Sequence, residues 1–339
     1  MKVDAPLLDQ SLDSVGESAR RLEQLGCYDG AFTFEGPHDP FFPLVLAAKA
    51  TDRLELCTAI AVAFARSPML LANIGYDLQQ LSRGRFILGL GSQIRPHIQN
   101  RFSMPWSKPA ERMRELVLAI REIWRCWNEG GRLDFRGEFY THTLMTPFFN
   151  PGANPFGNAR IFLAGVGPRM TEVAGEVADG FFTHPFHTAE SLRDTTLPAL
   201  DRGLAKSGRS RKDLEISYQV MIASGENDEE QERARTAVKT QIAFYGSTPA
   251  YRGVLDSRGW GDLQPELNRL TKSGGWAEMA DLIDDEILEA VAVCGTRDQI
   301  ADGVRQRCAG FADRVSLVAP YAADPASWTE VARALAEPR

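Results

Sequence analysis

The sequence predicts a (β/α)8 barrel, or TIM barrel, and two observations support this fold class. Eight short apolar stretches alternate with amphipathic stretches along the 339 residues, which is the pattern of βα units and a parallel sheet. A doubly wound dinucleotide-binding sheet would instead carry its glycine fingerprint after the first strand. Here the G-x-G that precedes a helix, Gly165-Val166-Gly167, follows the fifth strand, and Met170 stands where a third glycine would be. The barrel is therefore favoured.

The strands are predicted from short apolar, β-rich runs, most of which lead into a helical pattern. In chain order they are Lys2–Pro6, Asp29–Thr33, Leu54–Val62, Arg85–Leu90, Ile161–Ala164, Gly180–His184, Leu214–Ala223 and Arg314–Ala319. The predicted helices are Ser11–Leu25, Pro40–Thr51, Met69–Leu81, Pro109–Glu129, one that starts at Arg169, Glu190–Lys206, Glu229–Phe244 and Trp328–Ala336. The helix from Pro109 is the clearest, because its apolar residues recur at three- and four-residue spacing and two glycines follow it.

Two long segments interrupt this alternation, Leu133–Asn158 and Ser247–Asp285. The first contains a hairpin-like stretch and then a loop rich in Pro, Gly and Asn, and the second is too long for a plain connection. Insertions of this length are usually lids or binding loops. We expect both to shape the substrate pocket of a single domain that spans residues 1–339.

The composition argues against several classes of protein. The formal net charge is −7, and no cluster of basic residues stands out, so neither nucleic acid nor an anionic membrane is an expected partner. No apolar run approaches the roughly 20 residues that span a bilayer, and the N-terminus lacks the pattern of a secretory signal. We expect a cytoplasmic protein that acts on a small molecule. The cysteines and histidines show no metal-ligand spacing, so no metal site is expected.

In a barrel of this type, functional residues lie at the carboxyl ends of the strands. That rule selects the loops after strands two to six. The candidate residues in these loops are Phe34–Asp39, Ala61–Arg66, Gly89–Gln93 with Arg95 and His97, Ala164–Arg169, and the pair His184 and His187.

Three stretches of the chain resemble a known family. They are "RFILGLG" preceded by "SRG", the strand-three stretch "CTAIAVAFARSP", and the block "AGVGPRMTEVAGEVADGFF". Together they resemble the luciferase-like flavin and deazaflavin oxidoreductases, and among these the coenzyme F420-dependent enzymes. The resemblance implies a luciferase-like TIM barrel with the deazaflavin ring in its mouth and an insertion after strand seven that helps to cover the site. It also implies hydride transfer between F420 and a small organic substrate, and a homodimer.

The resemblance further implies roles for residues around the ring. A strand-three bulge with a non-proline cis peptide would back the ring near Thr58 and Ala59. His38 matches, within one or two residues, the position of a polar active-site residue after strand two. An imidazole near pH 7 can donate or accept the proton that accompanies hydride transfer. Glu35 is an alternative base, and a surface position before the next helix is the structural alternative for His38.

Three more side chains are candidate contacts of the cofactor. Gln93 stands where characterised F420 dehydrogenases of this type carry a glutamate, which puts a sugar-phosphate dehydrogenase activity in doubt. His97 is a candidate contact of the ring or substrate, and His184 is a candidate contact of the cofactor tail or substrate. A purely structural role is the alternative for each histidine.

The cofactor's phosphate is predicted to bind at Ala164, Gly165, Val166, Gly167 and Arg169. The two glycines permit close backbone approach and positive φ, and a proline suits the first helical position that follows them. The free amides and positive dipole end of the helix would then face an anion in the barrel mouth. The structural alternative is a tight turn in which the glycines only permit strand–helix packing.

Two other functions remain open at this point. One is an FMN-dependent monooxygenase on the same barrel. The other is a non-catalytic barrel that only binds a flavin or deazaflavin. If the F420 interpretation is right, the protein should bind F420 at least tenfold more tightly than FMN, a difference of about 1.4 kcal/mol.

Overall fold

The computed structural model describes residues 1–9, 11–322 and 324–337. Its strands are β1 Lys2–Pro6, β2 Gly30–Thr33, β3 Glu55–Thr58, β4 Ala61–Val62, β5 Phe86–Gly91, β6 Phe135–Arg136, β7 Thr141–His142, β8 Arg160–Ala164, β9 Gly180–Phe182, β10 Glu215–Ser224, β11 Ala292–Gly295 and β12 Arg314–Val318. Its α-helices are α1 Leu12–Leu25, α2 Phe41–Ala50, α3 Pro68–Leu81, α4 Pro109–Glu129, α5 Pro168–Val177, α6 Ala189–Ser191, α7 Leu197–Lys206, α8 Asp228–Gly246, α9 Arg252–Asp256, α10 Leu263–Ser273, α11 Trp276–Asp281, α12 Asp285–Val291, α13 Arg297–Cys308 and α14 Thr329–Ala336.

Eight of these strands close into a parallel barrel in the order β1-β2-β3-β5-β8-β9-β10-β12, and β12 pairs back onto β1. This arrangement confirms the predicted TIM barrel. Each strand pair in the barrel is parallel because a helical connection returns the chain to the same end of the sheet. Helix α4 has the bounds predicted for it, and its apolar stripe is buried.

The third barrel strand is interrupted, whereas the sequence predicts one strand over Leu54–Val62. Strand β3 ends at Thr58, the Ala59–Ile60 peptide bond is cis, and the chain continues in β4, which pairs with β5. The cis bond lies one residue beyond the position implied by the family resemblance.

Two glycines of β5 make room for this bulge. A Cβ on Gly89 would lie 1.7 Å from the Thr58 carbonyl oxygen, and one on Gly91 would lie 2.8 Å from the Ile60 side chain. Such contacts are far shorter than a Cβ tolerates, so the close approach requires glycine at both positions. The "GLG" of the "RFILGLG" stretch is therefore explained by packing against the third strand.

The sequence predicts a long insertion over Ser247–Asp285 but predicts neither its short helices nor strand β11. The outer half of β10, Met221–Ser224, pairs with β11, so that β10 continues beyond the barrel. The segment 247–285 folds into short helices that pack on α8, and their buried residues form an apolar cluster with Met221 and Phe186. The other insertion contains the antiparallel pair β6–β7, in agreement with its hairpin-like sequence.

The interior of the barrel has a charged layer at the amino-terminal end and an apolar layer above it. Arg314 is 1% exposed and donates two hydrogen bonds of 2.6 Å to Asp4. The apolar layer is formed by Cys57, Ile87, Phe162 and Phe182. This layer separates the charged end from the barrel mouth. Among the described residues, no helix is both long enough and apolar enough to cross a bilayer.

Candidate functional site

Helix α5 begins at the barrel rim with an N-terminus that no side chain caps. Gly167 is the N-cap residue and Pro168 is the first helical residue, as the sequence predicts. The expectation of positive φ was wrong, because Gly167 has φ −79° and ψ 148° and Gly165 is also outside the positive-φ region. Gly165 is instead required by packing, since a Cβ there would lie 2.9 Å from the Met170 side chain.

The buried face of α5 fixes the helix against the barrel. Val173, Ala174 and Val177 are buried on this face, and Ala178, just beyond the helix, is fully buried. The backbone amides of Arg169 and Met170 lie in the first turn, and no side chain accepts a hydrogen bond from this N-terminus. Free amides and the positive end of the helix dipole make such a terminus a favourable place for an anion.

A cavity of about 300 Å³ adjoins this helix terminus and is called the α5 cavity below. Residues 165–168 form part of its wall, and so do Ala250, Gly253 and Val254 of the second insertion. The polar side chains that line it are Thr183, His184, His187, Ser191, Thr195 and Thr196. The structure therefore brings the predicted Gly165, Val166, Gly167 and His184 together at one site.

Arg169 does not form part of this wall. Its side chain is 87% exposed, and its guanidinium lies 3.9 Å from the carboxylate of Glu111. The predicted charged contact from Arg169 to an anion would need the side chain to turn toward the cavity.

His184 is held in a neutral state by its surroundings. Its Nδ1 accepts a hydrogen bond of 3.1 Å from the Phe186 amide, which leaves the ring proton on Nε2. The ring packs against Tyr245 and Tyr251, with centroid distances of 4.6 and 4.7 Å. Burial, and then the neighbouring His187, lower the pKa of His184 to about 3.

His187 has the opposite tautomer. Its Nδ1 lies 2.6 Å from the carbonyl oxygen of His184, and because a carbonyl can only accept, Nδ1 carries the proton. Its Nε2 is buried without a hydrogen-bond partner among the described residues. Burial lowers the pKa of His187 to about 4. The cavity thus contains one imidazole with a proton on Nε2 and another with a free acceptor at Nε2.

Glu35 lies beside the strand-three bulge, where it holds the chain in place. Its Oε2 accepts hydrogen bonds of 2.7 Å from the Val62 amide and 2.6 Å from Arg66, and its side chain is 6% exposed. The amide of Glu35 donates to the Ile60 carbonyl at 3.0 Å. Arg66 also pairs with Asp39 at 2.8 Å. The sequence places Arg66 among the candidate residues but does not predict these partners, through which it joins the loops after the second and third barrel strands.

Thr58 and Ala59 differ in what they offer to a ligand. Thr58 is fully buried, and its hydroxyl both donates to the Gly89 carbonyl at 2.7 Å and accepts from the Gly89 amide at 3.0 Å. Thr58 therefore ties β3 to β5, and its hydroxyl is occupied. Ala59 and Ile60 are only partly buried, so the bulge itself is the accessible surface.

The remaining predicted residues lie on loops around the mouth. His38 and His97 are exposed. Gln93 adopts a left-handed conformation with φ 59°, and its Oε1 accepts from the Ile94 amide at 2.9 Å, which leaves the NH2 group as its outward donor. The loop after β2 and the loop after β5 are joined, because Arg101 donates a hydrogen bond of 2.5 Å to the Gly36 carbonyl.

Within the described parts of the chain, no group of three or more His, Cys, Asp or Glu side chains has an arrangement that could hold a metal ion.

The chain is similar to proteins of known family and fold. A family model described as luciferase-like monooxygenase matches residues 2–314. An uncharacterized protein of Mycobacterium tuberculosis is 56% identical over 315 residues, which cover 93% of this chain and 92% of that protein. The 5,10-methylenetetrahydromethanopterin reductase of Archaeoglobus fulgidus is 27% identical, covering 83% of this chain and 81% of the reductase. The structure of coenzyme F420-dependent tetrahydromethanopterin reductase from Methanopyrus kandleri shares the fold, with a TM-score of 0.79 at 18% identity over 99% of this chain and 97% of that chain.

Proposed function

The chain belongs to the luciferase-like monooxygenase family, and we propose that it is an oxidoreductase that transfers a hydride between coenzyme F420 and a small organic substrate. The observation that carries this proposal is the α5 cavity, where an uncapped helix N-terminus adjoins a wall of hydroxyls and imidazoles. This combination fits the phosphate and hydroxyl-bearing tail of a flavin-like cofactor. One protein of similar fold is described as coenzyme F420-dependent.

The residues of this chain fit such a cofactor at the α5 cavity and at the strand-three bulge. The amides of the first turn of α5 and the segment Gly165–Gly167 would hold the phosphate. The unpartnered Nε2 of His187 is a buried acceptor that a ligand hydroxyl would satisfy. The partly buried bulge at Ala59 and Ile60, braced by Glu35, would support the ring.

When bound, F420 supplies two-electron hydride chemistry, and the protein must supply the proton that accompanies it. We assign that proton transfer to His38, whose exposed imidazole lies in the loop after β2. Glu35 is assigned a positioning role, because its carboxylate already binds Arg66 and the Val62 amide. The NH2 group of Gln93 would donate a hydrogen bond to an acceptor on the ring or on the substrate.

An FMN-dependent monooxygenase is the second candidate function. The family to which the chain belongs carries the monooxygenase description, and a helix N-terminus binds the phosphate of FMN by the same physics.

Separate titrations with F420 and FMN test the proposal. The chain has six tryptophans, so quenching of their fluorescence reports binding of either cofactor. We expect F420 to bind at least tenfold more tightly than FMN, which is about 1.4 kcal/mol. Equal affinities, or tighter binding of FMN, would contradict the assignment and favour the second candidate.

A further inference from the structure

The α5 cavity has an unusual electrostatic property for a place that would hold a phosphate. Among the described residues that line it, the polar side chains are hydroxyls and imidazoles, and none belongs to Lys, Arg, Asp or Glu. His184 is neutral because its Nδ1 accepts a hydrogen bond. His187 donates from Nδ1 to a carbonyl, and burial with an Nε2 that has no partner among the described residues keeps it neutral. The positive end of α5, equivalent to about half a charge, is the main electrostatic attraction for an anion.

The charged side chains on the elements around the cavity lie outside its wall, and most of them form ion pairs. Arg169 is paired with Glu111 at 3.9 Å, and Arg258 is paired with Glu190 at 2.9 Å. Further pairs on the surrounding elements are Arg193–Asp194, Arg202–Glu172, Lys206–Glu172 and Arg252–Asp256. Arg307, whose charge acts on His187, donates to the carbonyls of Ala290 and Ala292. None of these cations lines the α5 cavity, so its described wall holds no counter-charge for a second ligand charge.

Two kinds of phosphate differ in the charge that they would bring here. A phosphodiester carries one negative charge near neutral pH. A phosphomonoester has a second ionisation with a pKa of about 6, so at pH 8 it carries almost two. Burying a charge without a counter-charge is costly, and half a dipole charge offsets the first ionisation far better than the second.

We propose that the α5 cavity selects a singly charged phosphodiester and discriminates against a doubly charged phosphomonoester. This inference rests on the proposed function, and it makes the cavity a determinant of cofactor choice. F420 carries its phosphate as a diester, whereas FMN carries a monoester. The absence of a cation from the wall would thus favour the deazaflavin cofactor without any contact to its ring.

Three ligands that share one ring and one ribityl chain test this inference by direct binding. They are the 8-hydroxy-5-deazaflavin nucleoside without phosphate, its 5′-monophosphate, and the methyl diester of that monophosphate. At pH 8 we expect the methyl diester to bind about tenfold more tightly than the monophosphate, because the methyl group removes one buried charge. Equal binding of the two esters, or tighter binding of the monophosphate, would overturn the inference.

The pH dependence of binding adds a second readout. Between pH 8 and pH 5.5 the monophosphate gains a proton, whereas His184 and His187 stay neutral because burial keeps their pKa values at about 3 and about 4. Burial also raises the pKa values of Tyr245 and Tyr251. Relative to the affinity for the nucleoside, which shares the ring, we expect the affinity for the monophosphate to rise about tenfold over this range and that for the diester to stay within about twofold. A flat profile for the monophosphate would count against the inference.

A new cation in the wall should reverse the selectivity. Thr195 lines the cavity at an exposed position, so a longer side chain can be accommodated there. Thr195→Lys should raise the affinity for the monophosphate at pH 8 by about tenfold and that for the diester by less, because Coulomb attraction grows with ligand charge. Thr195→Met, which is similar in length and neutral, should leave the ratio unchanged.

The outcomes separate this inference from the proposed function. If the wild-type protein binds none of the three ligands, the proposed function is contradicted and the inference falls with it. If it binds all three equally, a deazaflavin site stands but the α5 cavity does not hold the phosphate. Equal gains for both esters in the Thr195→Lys variant would likewise overturn the discrimination by charge.

Discussion

The two ends of the barrel differ in charge. At the amino-terminal end, charged side chains in the barrel interior form ion pairs with one another, whereas the polar side chains of the α5 cavity at the carboxyl end are neutral. The charged cluster contains Lys2, Asp4, Glu55, Arg160, Glu215 and Arg314, joined by ion pairs. In the α5 cavity, the Nε2 of His187 has no hydrogen-bond partner among the described residues. Groups whose partners lie within the protein contribute to stability, whereas groups without them are available to a ligand.

The largest effect should come from the carboxyl end. His38→Ala should lower turnover by about 10²–10⁴-fold, the usual range for loss of a general acid or base. Cofactor affinity should change little, because His38 is an exposed loop residue outside the α5 cavity. The measurement is steady-state turnover of F420 with a substrate found by screening, alongside fluorescence titration of the cofactor.

The matched control for this variant is His97→Ala, a second exposed histidine in the adjoining loop. If His38→Ala retains full activity, the proton transfer belongs to another group, and Glu35 and His97 are the next candidates.

At the amino-terminal end, the expected effect is on stability. Arg314→Met should lower the free energy of unfolding by about 3–5 kcal/mol, because it leaves the buried carboxylate of Asp4 without its partner. Chemical denaturation at pH 7 measures the change. Arg121→Met removes a half-exposed ion pair with Asp179 and should cost no more than about 1 kcal/mol. Equal losses of unfolding free energy in the two variants would show that burial does not make the Arg314 ion pairs more important for stability than the Arg121 ion pair.

The same cluster should make stability depend on pH. Burial alone would raise the pKa of Glu55, but Arg314 and Arg160 outweigh it and lower the pKa to about 2. A depressed pKa means that the contribution of Glu55 is fully present above pH 4.5 and is lost as the pH falls toward 2. We expect the free energy of unfolding of the wild-type protein to exceed that of Glu55→Gln by roughly 2–3 kcal/mol at pH 7. This difference should shrink below pH 4.5. A constant difference in unfolding free energy from pH 7 down to pH 2 would contradict the lowered pKa of Glu55.

The sequence was enough to predict the barrel and to select some of the segments at its mouth. Strand periodicity gives the βα alternation, and the rule that function lies at strand ends then selects segments such as Gly165–Gly167 and His184. The "GVGP" motif also predicts the start of α5, because proline at the first helical position is a local preference.

Other features depend on contacts between distant segments. The bracing of the bulge by Glu35 and Arg66 joins residues that are 31 positions apart, and no local pattern encodes that pair. The prediction of positive φ at Gly165 and Gly167 was wrong. Glycine is favoured both where the backbone has positive φ and where a side chain would not fit, and the sequence does not distinguish these two causes. At Gly165 the structure shows packing against Met170, whereas a Cβ on Gly167 would meet no atom within 4 Å.

That open space at Gly167 gives the last prediction, in which the same change should affect stability and binding in opposite directions. Gly167 is extended, as N-cap residues are, and has room for a side chain. Gly167→Asp should therefore cap α5, leaving stability unchanged or raising it by a few tenths of a kcal/mol. Its carboxylate would compete with the phosphate for the helix amides, so cofactor affinity should fall at least tenfold, about 1.4 kcal/mol.

Three further measurements complete this test. Gly167→Asn caps the helix without a charge and should weaken binding less than Gly167→Asp, which separates repulsion from competition for the amides. Arg169→Ala should also weaken binding less, because its side chain is 87% exposed and lies outside the cavity wall. Thermal denaturation confirms that each variant is folded. If folded Gly167→Asp protein binds F420 as tightly as wild type does, the phosphate lies elsewhere, and the uncapped end of α5 is a feature of strand–helix packing alone.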